Sequence, residues 1–195
     1  APALTRSISA EEIRRYGMTS VIEALDFLGV GVHAEHALGR SELTVRGVNF
    51  TGDRGNHVLV LLDGHALNEP LIGDATLDQR LGVPLEMIDH VELVLGPGSA
   101  IYGTNAVLAV VNIVTKSGKT MNGFHAVAEA GAVGTLRTTL TGGHSFDLLR
   151  KRAELAVGLT YFRQDSAVDL PRQDLGFDPV TGQPFTWGGT ADGAY

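Results

Sequence analysis

The chain has no cysteine, which removes disulfide frameworks, thiolate metal sites and cysteine nucleophiles, and says little about compartment. No stretch approaches the ~18 consecutive apolar residues that a membrane-crossing helix needs. Positive charge is scarce: the net charge is −7 and the longest basic run is Arg150-Lys151-Arg152. A nucleic-acid binder displaces counterions from phosphates with a positive surface, so that partner class is set aside. The chain opens Ala1-Pro2-Ala3 with no charged-then-apolar leader and no initiator Met, which reads as a processed protein or an excised piece.

Glycine is plentiful, at 25 of 195 residues. That is about twice ordinary usage. The glycines follow no period, which excludes collagen. They sit in pairs or beside Asp, Asn and Pro, where backbone turns tightly or approaches another chain closely. Hydrophobic residues make up 44% of the chain and charged residues 19%, enough apolar surface to bury a core.

Two regions follow different grammars. In residues 1–118, Ser9-Ala10-Glu11-Glu12 is a capping-box pattern opening a short helix that ends near Gly17. Ser20-Val21-Ile22-Glu23 repeats it, and Val21, Ala24, Leu25 and Leu28 give one apolar helical face that stops at Gly29. Leu43 to Gly47 reads as a strand. His57 to Leu62 is a nearly unbroken apolar run closed by Asp63-Gly64, as for a buried strand and a tight turn. Pro84 to Ile88 suggests a short helix with Pro in its first turn. Residues 91–95 and 107–115 supply two more strands. Long loops are expected at 33–42, 48–56 and 65–82, around a small mixed sheet.

After Lys116-Ser117-Gly118-Lys119 the chain changes style. Residues 124–132, 136–144 and 153–162 read as strands of about ten residues, the length that crosses a bilayer. In the third, Ala153, Leu155, Val157, Leu159 and Tyr161 alternate with Glu154, Ala156, Gly158 and Thr160. Apolar-out and polar-or-small-in suits a transmembrane barrel, while a soluble β-meander has the same period. Aromatic residues number four in 1–118 and eight afterwards, as interfacial girdles require. From Asp165 through Gln183 a long exposed loop is expected. Three strands cannot close a barrel, because a plugged one needs roughly 22, so further strands are expected beyond Tyr195.

The stretch IDHVELVLGPGSAIYGTNAVLAVVNIVTK, residues 88–116, reads as a strand, a Gly-Pro-Gly turn, one helical turn opened by Ser99 and a second buried strand. Its spacing fits neither the dinucleotide fingerprint nor the Lys-bearing phosphate loop. It is similar to the closing signature of TonB-dependent receptor plugs. Upstream, SISAEEIRRYGMTSVIEALDFLGVGV resembles that family's opening helices, LTVRGV its Arg-Gly strand, and VLVLLDGHALNEP its Asp-Gly hairpin, all in family order. The implied architecture is an α+β plug, a small mixed β-sheet with short helices over residues 1–118, followed over 119–195 by the first antiparallel strands of a transmembrane β-barrel. The mixed sheet should link the segments of Arg46, Asp63, Glu92 and Asn112.

Three departures accompany the resemblance. Leu95 stands where the family carries Arg before Gly-Pro. Leu28 replaces the Pro before Gly-Val. No energy-coupling segment is visible before Thr5, and it lies upstream or is absent.

The resemblance implies a plug that occludes a barrel in the bacterial outer membrane and yields when an inner-membrane complex pulls on it. It implies as partners the remainder of the barrel, a TonB-type energy-coupling protein, outer-membrane lipid and an extracellular small-molecule ligand such as a siderophore, cobalamin or a metal chelate. The competing reading keeps the plug fold as a binding, signalling or assembly module without energy-coupled transport. Because loops on a rigid scaffold carry recognition, ligand contacts are expected from Arg40, Asn49, Phe50, Asp53, Arg54, Asn68 and Asp74. Arg46 is the expected latch to barrel carboxylates. Gly47, Asp63, Gly64, Glu92, Gly96, Pro97, Gly98, Tyr102, Gly103, Asn112 and Lys116 are expected to maintain the fold. Of the seven histidines, His33 with His36 and His57 with His65 match no ligand spacing, so no metal or other cofactor is expected. Ser99 lacks a nucleophile elbow and reads as a helix cap; no enzymatic activity is expected.

Overall fold

The computed structural model describes residues 4–29, 31–37, 40–48, 55–131, 134–148 and 151–164. Strand β1 (Leu4–Ser9), which the sequence reading left unassigned, runs directly into helix α1 (Ala10–Arg15). Ser9 makes the junction as a reciprocal cap. The Glu12 N–H donates to its hydroxyl at 3.3 Å, and its own N–H donates to the Glu12 carboxylate at 2.9 Å. The Ser9 hydroxyl also donates to the Glu12 carboxylate at 2.7 Å, and this bond first, then the one from the Ser9 N–H, holds the Glu12 carboxyl below its ordinary value. Helix α2 (Val21–Leu28) begins at Ser20 and stops at Gly29, whose φ of +68° a side chain would resist. Val21, Ile22, Ala24 and Leu25 are buried along its inner face.

The expected loop over 33–42 is instead an antiparallel ribbon of β2 (Val32–Ala37) and β3 (Arg40–Val45). Its polar sequence concealed it; among its described side chains Val32, Leu43 and Val45 join the core, with Ala34 packed against it. Asp26 of α2 docks the ribbon, its carboxylate accepting the Ala34 N–H at 3.0 Å and facing His33 Nδ1 at 2.9 Å.

Strands β4 (Val58–Leu62) and β5 (His65–Ala66) form a hairpin across Asp63-Gly64. Both turn residues have positive φ, +48° and +83°, the geometry for which Asp-Gly is chosen in two-residue hairpins. Pro84 precedes a single 3-10 turn, Leu85–Met87, rather than lying inside a helix. Strand β6 (Ile88–Leu95), helix α3 (Ser99–Tyr102) and strand β7 (Ala109–Thr115) complete a five-stranded mixed sheet of order β1-β6-β7-β4-β5. β4 and β7 are parallel and the other pairs antiparallel. The sheet joins the Asp63, Glu92 and Asn112 segments as expected. The Arg46 segment departs from that expectation, because it follows β3 in the separate ribbon.

One face of the sheet is the main core. Ile8, Val91, Leu93, Val111, Ile113, Val58 and Val60 pack there with Ile13, Ile22 and Leu25 of the helices. Each such side chain contributes about 1.5–3 kcal/mol by leaving water. The opposite face carries a smaller cluster of Leu59, Leu61, Ala106 and Val110.

Beyond a one-turn helix α4 (Gly118–Met121), strands β8 (Gly123–Ala130), β9 (Leu136–Leu148) and β10 (Lys151–Arg163) form a second sheet of order β10-β9-β8. Its burial is inverted. Phe124, Leu140, Leu155, Val157, Leu159 and Tyr161 are exposed, Leu159 to 69%, whereas Arg137, Thr139 and Thr141 are buried, Thr139 to 1% exposure. A row of exposed large aliphatics is unfavourable against water and is what a lipid-facing barrel wall presents. The chain divides into two compact units, residues 1–125 with 140–159, and 126–139 with 160–195. In the second, Arg137 Nε donates to Glu129 at 2.7 Å and the Thr139 and Thr160 hydroxyls lie 3.1 Å apart. The loop expected after Asp165 lies outside the described residues.

These opposite environments give a direct expectation. Leu93→Ala should destabilise the detergent-solubilised chain by about 2–5 kcal/mol in denaturant titration, and Leu159→Ala by no more than about 0.5 kcal/mol. Equal losses would contradict the inverted face.

Candidate ligand-facing end of the sheet

Because β4 and β7 are parallel, they start at the same end of the sheet, where β5 and β6 finish. Residues 55–57, 67–77 and 96–108 therefore meet there. Two asparagines stitch them. Asn68 accepts the Val60 N–H at 2.8 Å and donates to the carbonyls of Val58 at 2.9 Å and Gly73 at 2.7 Å. Asn105, itself at φ +68°, donates to the carbonyls of Asn56 at 2.8 Å and Gly73 at 3.1 Å. Gly73 is confined between them: at its φ of +82°, a Cβ would lie 2.6 Å from Asn105 Nδ2. Glu69 closes the intervening turn by accepting the Ile72 N–H on its carboxylate at 2.7 Å and the Gly73 N–H on its carbonyl at 2.8 Å.

The Gly-Pro-Gly segment folds back onto the loop before β7. The Gly96 N–H donates to the Leu108 carbonyl at 2.9 Å and the Gly98 N–H to the Ala106 carbonyl at 2.8 Å. Gly98 is tightly enclosed, since a Cβ would lie 3.1 Å from Val110 Cγ2 and 3.2 Å from Tyr102 Cδ2 and these side chains would have to yield. Ser99 does not cap α3. Gly98 holds that position, and the Ser99 hydroxyl donates to the Ala106 carbonyl at 2.9 Å. The surface presented at this end is more apolar than expected: Leu71 and Ile101 are 87% and 83% exposed, with Tyr102 and Val107 about half exposed.

The other end of the sheet is polar. Asp63 receives the Thr115 N–H at 2.8 Å and the Thr115 hydroxyl at 2.7 Å. Lys116 donates from Nζ to the Glu86 carbonyl at 2.8 Å. Burial, then the nearby Arg14, lowers the Lys116 pKa, while Asp89 and Glu86 pull it back up. On the face away from the main core, Asn112 donates to Glu92 at 2.9 Å across the β6–β7 pair, and Glu92 lies 3.4 Å from His90 Nε2. The Asp89 carboxylate, 2.8 Å from His90 Nδ1, raises the imidazole above its ordinary value; partial burial opposes this and Glu92 reinforces it.

The expected ligand contacts fare unevenly. Asn49, Phe50, Asp53 and Arg54 lie outside the described residues, and Arg40 is placed only as the first backbone position of β3. Asp74 is half-buried at the loop-bearing end. Asn68 reaches that end too, but its amide is engaged by three backbone groups, which makes it a brace for the loop. Arg46 is exposed in a left-handed turn with Gly47, at φ +56° and +71°. Sequence reasoning missed Asn105, Leu71 and Ile101. An Asn in a Gly-rich loop signals positive φ, but nothing local says which carbonyls it will reach. Among the described residues no three His, Cys, Asp or Glu side chains gather to hold a metal.

Residues 1–110 match the TonB-dependent receptor plug domain. The chain belongs to that family. Its fold recurs in the ferric yersiniabactin uptake receptor of Yersinia pestis, with TM-score 0.60 and 22% identity over 93% of this chain and 26% of that one. It recurs in the ferripyoverdine receptor of Pseudomonas aeruginosa, with TM-score 0.62 and 18% identity over 87% of this chain and 21% of that one. The ferric-catecholate import receptor Fiu of Escherichia coli K12 gives TM-score 0.60 and 21% identity over 86% and 22%. At these identities the likeness is one of fold. The chain spans between 21% and 26% of the length of these receptors, and the likeness passes beyond residue 110, since 93% of this chain is covered. The matched part of this chain thus takes in the plug sheet and strands from β8 to β10.

Two measurements test the site's construction. Gly73→Ala should cost about 1–3 kcal/mol, since it combines a left-handed backbone with a clash. Asn105→Gly, which keeps the backbone and loses the bridge, should cost about 1–2 kcal/mol, and Asn105→Ala should cost more; equal stability of both with the wild type would remove the stitching role. For His90 the folded pKa is raised, so its contribution is full below the ordinary imidazole value of about 6.5 and is lost as pH rises through the folded value. The stability gap between wild type and His90→Gln should therefore narrow from about pH 6 to about pH 9 in denaturant titrations. A gap that widens would reverse the assignment.

Proposed function

We propose that residues 1–118 are the plug, and residues 119–195 the opening wall strands, of a TonB-dependent outer-membrane receptor that gates energy-coupled import of a scarce ligand. The ligand class we favour is a ferric siderophore or similar metal chelate, with cobalamin the next. One observation carries the reading: a sheet matching the plug family is followed in the chain by strands that expose Phe124, Leu140, Leu155, Val157, Leu159 and Tyr161 while β9 buries Arg137, Thr139 and Thr141. A soluble meander would bury the opposite face.

In this reading the loop-bearing end receives the ligand. Residues 55–57, 67–77 and 96–108 are braced against one another by Asn68 and Asn105, and in this reading Asn49, Phe50, Asp53 and Arg54, which precede residues 55–57 in the sequence, contribute ligand contacts. The exposed Leu71, Ile101 and Tyr102 add apolar contact to the polar set. Arg46, exposed in its turn, is in this reading the latch to a wall carboxylate. A plug held in this way must release under force, and polar contacts exchange with water more readily than a dry apolar seam. The His90, Glu92 and Asn112 face has that character. A TonB-type protein pulling from the inner membrane supplies the force, and outer-membrane lipid covers the apolar wall.

The full-length protein tests this reading. Its reading frame should continue for several hundred residues of alternating strands. Calorimetric titration of the purified receptor with ferric siderophores, other iron chelates and cobalamin should give at least one Kd of about 1 μM or tighter, near −8 kcal/mol. A frame ending close to Tyr195, or no binding anywhere in the panel, would favour a plug-fold assembly module without transport.

A further inference from the structure

The segment leaving β7 is seated on the second sheet through glycine. Gly118, in α4, is buried, and a Cβ there would lie 2.8 Å from the His144 carbonyl oxygen of β9 and nearer still to the Leu155 carbonyl oxygen of β10. The residue facing it on β9 is also glycine. A Cβ on Gly143 would fall 2.5 Å from Met121 Cβ and 2.9 Å from the Gly118 carbonyl oxygen. Real Cβ atoms essentially never come within 3.0 Å of such neighbours. Hydrogen bonds flank the contact: the Lys119 N–H donates to Glu154 of β10 at 3.3 Å, and Ser117 caps α4 by accepting the Thr120 N–H at 3.2 Å. A second notch lies on β10, where a Cβ on Gly158 would collide with Met87 Sδ and come within 3.0 Å of Pro84 Cγ. All of these residues belong to one compact unit.

Glycine within a strand forfeits packing and chain stiffness, and it marks close approach of another backbone. Here Gly143 and Gly158 open two notches, and each is filled by the chain on one side of the β6–β7 hairpin. We infer that these contacts form a permanent clamp, holding residues 84–87 and 117–121 to the wall throughout the transport cycle. This rests on the import reading above. Rearrangement is then confined to segments N-terminal to Pro84, and the plug does not leave the barrel as one body.

The test uses the full-length receptor in membranes. In a Lys119→Cys, Glu154→Cys variant, a short thiol cross-linker should leave ferric-chelate uptake within about twofold of the same variant uncross-linked. A loss of about tenfold or more, reversed by cleaving the linker, would overturn the clamp. A readout independent of transport is proteolysis. Gly143→Leu, and the milder Gly118→Ala, should speed cleavage between Lys116 and Asn122 by about tenfold, because cleavage follows the opened population. Unchanged rates in both variants would also overturn it. If the wild-type receptor takes up no chelate, the import reading fails, and proteolysis alone decides the clamp.

Discussion

The parallel pairing of β4 with β7 is the constraint on which the rest of the plug depends. Parallel strands start at one end, so the segments entering them must converge there, and the long connection between them has to supply β5, β6 and the turn between. Asp63 secures the arrangement from the far end. Its carboxylate takes both the N–H and the hydroxyl of Thr115, which pins the end of β4 to the end of β7. A slip of one residue would carry Val58 and Val60 out of the main core and Leu59 and Leu61 into it. The register is thereby fixed by polar bonds at one end and by burial along its length.

With that register fixed, the loop-bearing end needs little further order of its own. Asn68, Gly73 and Asn105 connect three loops by side chain to backbone: Asn68 takes the Val60 N–H and the Val58 carbonyl of β4, and both asparagines reach the Gly73 carbonyl in the loop. The result is a braced platform carrying exposed apolar side chains. Such a surface is costly against water. The same logic, reversed, governs the second sheet, where β9 buries Arg137, Thr139 and Thr141 while Leu140 of β9 and Leu155 and Leu159 of β10 are exposed. The two sheets are built for different surroundings, and each obeys the hydrophobic effect in its own.

Much of this was legible locally. The capping box at Ser9, the cap at Ser20, the stop at Gly29 and the Asp63-Gly64 hairpin rest on bonds within a few residues, so spacing reveals them; at Ser20 the box itself does not form, because the Glu23 carboxylate takes the Thr19 N–H and hydroxyl instead. The alternation in 153–162 distinguished the apolar face of β10 from its polar-or-small face. Legibility failed wherever a strand owed its existence to a distant partner. β1 is a strand because β6 lies beside it, and the β2–β3 ribbon forms on α2 through Asp26 despite its polar sequence. Ser99 followed the same rule: its neighbours suggested a cap, and the fold placed the Ala106 carbonyl within its reach.

The amino-acid order by itself determined the family, the sequence of elements and the positions where backbone must adopt positive φ, because short-range sterics and side-chain chemistry decide these. The tertiary structure alone decided which loops share an end, which asparagines brace them, and where Gly118, Gly143 and Gly158 make room for another segment. Those outcomes depend on pairs of residues far apart in the chain, and no local spacing encodes the distance between them.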